Sequence, residues 1–262
     1  LVDHFLDVCR QHAGAVTILS GRCYDRESVP FKALDNLIDA LANYLRGLTL
    51  AEAALLMPDD IGFLSYLFPV LQRVEAVERL TRKNIARLDQ QQVRTRAFAA
   101  LRALLNRLTQ HCPVILFSDD LQWGDMDSAD VLFEVLKSPE APAVLFIGTY
   151  RSDEADSSPF LARWNNLKTA SPQEIRIQEV VVAPLGLKEC TQLTIALVGQ
   201  DTEAIRRRAL EFTQQTGGNP FLLTELIGCY DPSADSFRAM PIHEVIDNKL
   251  ARLPLEAAAL LQ

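Results

Sequence analysis

The chain has 262 residues, 48% of them hydrophobic and 23% charged, with 26 basic against 34 acidic side chains and a formal net charge of −8. At roughly 100–200 residues per domain, that is one large domain or a core with a smaller one, long enough to bury an apolar core without metal or disulfide staples. The composition excludes a disordered chain, and the acidic balance argues against a module built to grip nucleic-acid phosphates or an anionic membrane.

Residues 1–12 place Leu1, Phe5, Val8 and Cys9 on one helical face. The β-branched run 15–20 (AVTILS) predicts a short strand ended by Gly21. Over 31–46, Leu34, Leu37, Ile38, Leu41 and Leu45 recur at helical spacing. Residues 48–88 are helical in composition, with a Pro-Asp-Asp break at 58–60. A long helix is expected at about 89–110, with Phe98, Leu101, Leu104, Leu105 and Leu108 on one side.

Strands are expected at 114–117 and 143–149, with helices at 127–137 and 159–168 and a further strand at 174–182. The runs 114–117 and 143–149 are continuously apolar, the pattern of central strands in a parallel sheet covered on both faces. Strand and helix alternate, which is α/β grammar. After residue 185 the pattern is helical only, broken at 217–220, so one boundary falls at 184–186 and another at 231–240, where DPSADS is rich in turn formers.

Five cysteines, Cys9, Cys23, Cys112, Cys190 and Cys229, lie far apart with no CxxC spacing, which reads as reduced thiols of a cytoplasmic protein. No apolar run reaches the about 18–20 residues of a membrane span, and no signal-peptide pattern opens the chain. The chain starts at Leu1, already in helical pattern, and so reads as a segment of something longer.

Three segments carry chemistry. The first, 114–123 (VILFSDDLQW), ends an apolar strand in two carboxylates. Ligands of open α/β sheets bind at that edge. An aspartate there can hold Mg²⁺ largely through water, and a second can polarise a water aimed at a γ-phosphate. The same pair fits an acidic turn capping the next helix, and on residue types alone the two readings stand level. Asp125 and Asp127 suit the turn and N-cap better. In the second segment, 145–151 (LFIGTYR), Thr149 can hydrogen-bond a phosphate and Arg151 can read its charge. Taken alone, Arg151 fits better as a surface ion pair with Asp153, Glu154 or Asp156. The third, 216–221 (TGGNPF), is sufficiently explained as a helix–helix junction.

No glycine is followed by lysine, so GxxxxGK[ST], the phosphate-cradling loop, does not occur; HExxH and GxSxG are also absent. His4, His12, His111 and His243 are scattered. His4 and His12 read as ordinary helix residues, and Trp123 and Trp164 as packing residues.

In this order the three segments resemble the AAA-like signal-transduction ATPases called STAND, especially the ATPase modules of large bacterial regulators. The stretch 20–34 (SGRCYDRESVPFKAL) is similar to the segment after the P-loop helix in modules fused to serine/threonine kinases. The resemblance covers nearly the whole chain. It implies a P-loop NTPase-like parallel sheet lacking its first strand (1–185), a helical lid (186–235) and the start of a winged-helix domain (236–262).

It also implies ATP and Mg²⁺ as cofactors, with Asp119 acting on the metal and Asp120 in the catalytic acid position. Arg151 would sense the γ-phosphate with Thr149 beside it, and Gly218 and Pro220 would form the Gly-x-Pro motif near the adenine. The family's strand order, 5-1-4-3-2, would leave 143–149 and 174–182 flanking a gap where the first strand belongs. By the same resemblance the P-loop lies just ahead of Leu1, so residues 1–262 alone are expected to bind ATP poorly. Expected partners are other domains of the same chain, kinase or DNA-binding, and protein partners, with no direct contact to nucleic acid or membrane. The alternatives are a non-catalytic NTPase-like scaffold and the regulatory part of a transcription factor.

Overall fold

The computed structural model describes residues 1–228, apart from 13, 15, 26–29, 81–88 and 138. The boundary expected at 231–240 and the winged-helix start at 236–262 lie outside the described residues. Contacts divide the chain into two compact units, Leu1–Ile177 and Gln178–Gln262. Among the described residues no helix is long and apolar enough to cross a membrane.

The first unit is α/β. It begins with α1 (Val2–His12) and β1 (Thr17–Arg22), followed by α2 (Lys32–Gly47). Three short helices, α3 (Leu50–Leu56), α4 (Ile61–Leu67) and α5 (Glu75–Leu80), lead to the long α6 (Gln90–Thr109). The rest is β2 (Val114–Asp119), α7 (Met126–Leu136), β3 (Val144–Gly148) and α8 (Pro159–Ala170). The strands form a parallel sheet in the order β1-β2-β3.

Alternate residues of β2 point to opposite faces, as the pleat requires. Ile115 and Phe117 pack with Leu6 of α1, while Val114 and Leu116 join the main core with α2, α6 and α7. The leucine stripe of α2 is buried as its spacing predicts. On α6, Leu101, Leu104, Leu105 and Leu108 are buried, and Phe98 packs against the same core.

Four expectations are corrected. The buried face of α1 runs through Leu6, with Val2 and Cys9 partly covered, while Leu1, Phe5 and Val8 are exposed. Two overlapping apolar stripes exist on that short helix, and the sheet selects the one through Leu6. Gly21 does not end β1. It lies within the strand because α2 crosses so closely that a Cβ there would stand 2.9 Å from Asn36 Cβ.

β3 is not central but an edge, with Leu145 48% exposed. Residues 174–182 form no strand; the chain is irregular from 176 to 186, and Val181 is 87% exposed. β-branched content favours an extended chain, but a strand also needs a neighbour for its backbone groups, and this segment joins no ladder.

The second unit, as far as it is described, holds α9 (Leu187–Val198), α10 (Glu203–Thr216) and α11 (Pro220–Gly228) around Cys190, Phe212, Leu223, Leu226 and Ile227. It is helical, as expected.

Asp125 serves two helix starts at once. Its Oδ1 accepts from Ser128 N at 2.6 Å, capping α7, and its Oδ2 accepts from Lys32 N at 2.7 Å at the start of α2. Asp127 instead pairs with Arg94 at 2.5 Å, with its own side chain half exposed. Replacing Asp125 with alanine orphans two donors, so Asp125→Ala should lower unfolding stability by about 1–3 kcal/mol. Asp127→Ala should cost less than about 1 kcal/mol. Urea denaturation of the two variants measures the contrast.

Candidate functional site

Because all three strands run the same way, their C-terminal ends share one rim. The register pairs Arg22, the last residue of β1, with Asp119, the last of β2. It also pairs Ser118 with Gly148, so that Thr149 leaves β3 beside Asp119. Gly148 leaves room there for the Leu121 side chain, whose Cδ1 would stand 2.3 Å from an added Cβ.

Beyond the ladder the β2 and β3 ends stay tied. Thr149 N donates to Ser118 O at 3.1 Å and Leu121 N to Thr149 O at 2.8 Å. The Thr149 hydroxyl donates to Asp119 Oδ1 and accepts from Asp120 N at 3.3 Å. On the β1 side, Cys23 N donates to Asp119 O at 3.0 Å.

Asp120 takes a left-handed backbone, φ 58°, ψ 44°, a conformation that aspartate tolerates better than most side chains. The residue is buried at the rim, with its side chain 11% exposed. Gln122 Nε2 donates to Oδ1 at 3.0 Å, and Arg22 Nε donates to Oδ2 at 2.8 Å. A second guanidinium nitrogen of Arg22 lies 2.6 Å from Oδ2, and its Nε lies 3.8 Å from Asp119 Oδ2.

Burial of Asp120 works to raise its pKa. The hydrogen bonds from Gln122 and Arg22 and the positive charges of Arg22 and Arg151 outweigh it, holding the carboxyl below its ordinary value. The hydrogen bond and charge of Asp120 in turn raise Arg22, with Asp119 adding to the effect.

Arg151 comes to the same rim by a different route. Its backbone N donates to Gln122 Oε1 at 3.2 Å, so one buried amide ties Asp120 to the chain leaving β3. Its guanidinium donates to Glu154 at 3.2 Å and lies 5.7 Å from the Trp123 ring centre. This is the local ion pair that Arg151 taken alone suggests. Beside Gln122 and Trp123 opens a cavity of about 560 Å³, also lined by Asp25, Lys32 and Glu154.

Asp119, Asp120 and Thr149 are thus in direct contact, and Arg151 is linked to them through Gln122. Gly218 and Pro220 belong to the second unit. Gly218 has φ 78°, and a Cβ there would stand 2.2 Å from Leu185 O; its own carbonyl accepts from Leu185 N at 2.8 Å. Pro220 opens α11, which the Asn219 side chain caps by accepting from Phe221 N and Leu222 N at 3.0 and 3.2 Å. The helix-junction reading accounts for both residues.

Arg22 and Gln122 are the members of the site to which residue types alone assign no role. Only the position of Arg22 at a strand end adjoining the acidic pair in the sheet could have signalled it.

The donors at the rim are hard oxygens. Among the described residues no three His, Cys, Asp or Glu side chains converge on one point. Hard oxygens of this kind, the carboxylates of Asp119 and Asp120 and the hydroxyl of Thr149, are the donor type that Mg²⁺ takes. Comparison with protein-family models, curated proteins and solved structures returns no match for this chain.

The ordinary value for Asp120 is 3.8, and the folded value lies below it. Its pairing therefore stabilises the fold above that value, and the contribution is lost as pH falls from about 4 through the folded value. Arg22→Gln should be less stable than wild type at neutral pH, with the gap closing in acid. Melting temperatures measured between about pH 7 and pH 3 test this. A gap constant across the range would mean that the pair contributes nothing.

Proposed function

We propose that the chain is the ATP-binding and hydrolysing switch module of a cytoplasmic bacterial signalling protein, of the STAND type. The observation that carries this reading is the meeting of Asp119, Asp120 and Thr149 at one sheet rim, with Arg151 linked to them through Gln122. The order β1-β2-β3 supports it, since it corresponds to the 2-3-4 part of the 5-1-4-3-2 sheet. On this reading residues 1–185 are the P-loop NTPase-like core without its first strand, residues 186–235 a helical lid and 236–262 the start of a winged-helix domain. Gly218 and Pro220 shape the lid near the adenine.

Asp119 would hold Mg²⁺ through its outward oxygen while the Thr149 hydroxyl fixes the other. The metal would supply charge neutralisation at the phosphates. Asp120 would orient the attacking water, and Arg151, released from Glu154, would meet the γ-phosphate. Lid closure would then depend on contacts made only with the triphosphate present. Kinase or DNA-binding domains and protein partners would read the closed state.

The engagement of both Asp120 oxygens by Gln122 and Arg22 favours a second reading, a non-catalytic scaffold in which the pair only braces the rim.

The 262 residues contain no GxxxxGK[ST] loop, so the reading expects weak binding by the chain alone. Indole NMR signals of Trp123, at the rim, and Trp164, packed between Phe160 and Phe133, report on it separately. Millimolar Mg·ATP should shift Trp123 and spare Trp164, and Asp119→Ala should abolish the shift. An equal response in Asp119→Ala would overturn the switch reading and leave the scaffold, and micromolar affinity of the chain alone would overturn the expectation of weak binding.

A further inference from the structure

Arg22 stands where a cation would approach the acidic pair. Its backbone is fixed. The carbonyl accepts from Asn36 Nδ2 at 2.6 Å, the preceding Gly21 is pressed against α2, and the residue pairs with Asp119 in the ladder. Its side chain is held differently. It lies half exposed, with Nε 2.8 Å from Asp120 and 3.8 Å from Asp119, so that one guanidinium neutralises two adjacent carboxylates.

The exposed Tyr24 ring, its centre 5.9 Å from the guanidinium carbon, makes a cation–π contact with the guanidinium while it is paired. A fixed backbone that carries a half-exposed charged head is the basis of a displaceable counter-ion.

We propose that Arg22 is the resident counter-ion of the Asp119–Asp120 pair and that a divalent cation binds there only by displacing it. Two adjacent carboxylates repel each other, and either a guanidinium or a metal relieves the repulsion. Both at once would set two positive charges within a few ångströms at a partly dry rim, where like charges are poorly screened. The two are therefore alternatives. The guanidinium stabilises the metal-free rim and at the same time lowers its affinity for metal. Arg22 is accordingly a positioning residue. While paired it keeps Asp120 occupied, and once displaced it frees the carboxylate that the switch reading needs. This inference rests on the reading of Asp119 and Asp120 as a metal-binding pair.

The coupling is reciprocal, so it can be read from either side. Mn²⁺ binding to the 262-residue chain, followed by electron paramagnetic resonance without nucleotide, should tighten about fivefold or more in Arg22→Gln. Arg22→Lys, a single point charge without the fork, should fall between it and wild type. Adding Asp119→Asn to Arg22→Gln should remove the gain.

In unmutated protein, saturating Mg²⁺ should shift the Arg22 Nε resonance, which needs no variant to fold. If Mn²⁺ binds to wild type and Asp119→Asn weakens it, yet Arg22→Gln binds no more tightly and Mg²⁺ leaves Arg22 Nε unmoved, the counter-ion proposal is wrong and the metal reading stands. If Mn²⁺ binds to no variant, the counter-ion proposal is overturned, and the Mg·ATP response in Asp119→Ala decides the switch reading by itself.

Discussion

β2 is hydrogen-bonded on both sides, and that double ladder is the constraint on which everything at the rim depends. A shift of one residue would turn every side chain of a strand to the opposite face, and in a strand packed on both faces each side chain is fitted to its own core. β2 is such a strand, with Val114, Leu116, Ile115 and Phe117 divided between two cores. Its register with β1 places Arg22 opposite Asp119, and its register with β3 places Thr149 beside the same carboxylate. The rim contacts are thus set by packing deep in the sheet, well away from any ligand.

The loops above the sheet continue this economy. One carboxylate, Asp125, accepts from the first turns of both α2 and α7, so the starts of these two helices are positioned together. One amide, Gln122, accepts from the chain leaving β3 and donates to Asp120. Asp120 accepts a left-handed backbone and burial, both unfavourable by themselves, because several partners converge on it. Strain held by so many contacts is common at rims that bind ligands, although the same density of contacts would also suit a purely structural brace.

Much of the architecture was legible in the sequence because it is local. The leucine stripe of α2 and the long face of α6 are periodic signals, and the continuous apolar run of β2 marks a strand covered on both faces; the structure agrees with all three. What sequence reasoning missed depends on pairing across distance. The partners Arg22 and Asp120 lie 98 positions apart, and nothing in either segment specifies the other. The edge position of β3 and the irregular course of 176–186 are of the same kind, since an apolar run declares that it can pair and not that a neighbour is present. For the site, the residue types at the two strand ends and the ion pair of Arg151 with Glu154 were legible, while the engagement of Asp120 by Arg22 and Gln122 was not.

The seating of Gly218 has a consequence for genetics. Its backbone touches that of Leu185 so closely that any side chain would force the two segments apart. A loss-of-function allele at this codon would therefore be a folding lesion of the helical unit. Pro220 opens a helix and is exposed, so an allele there disturbs assembly of the chain less.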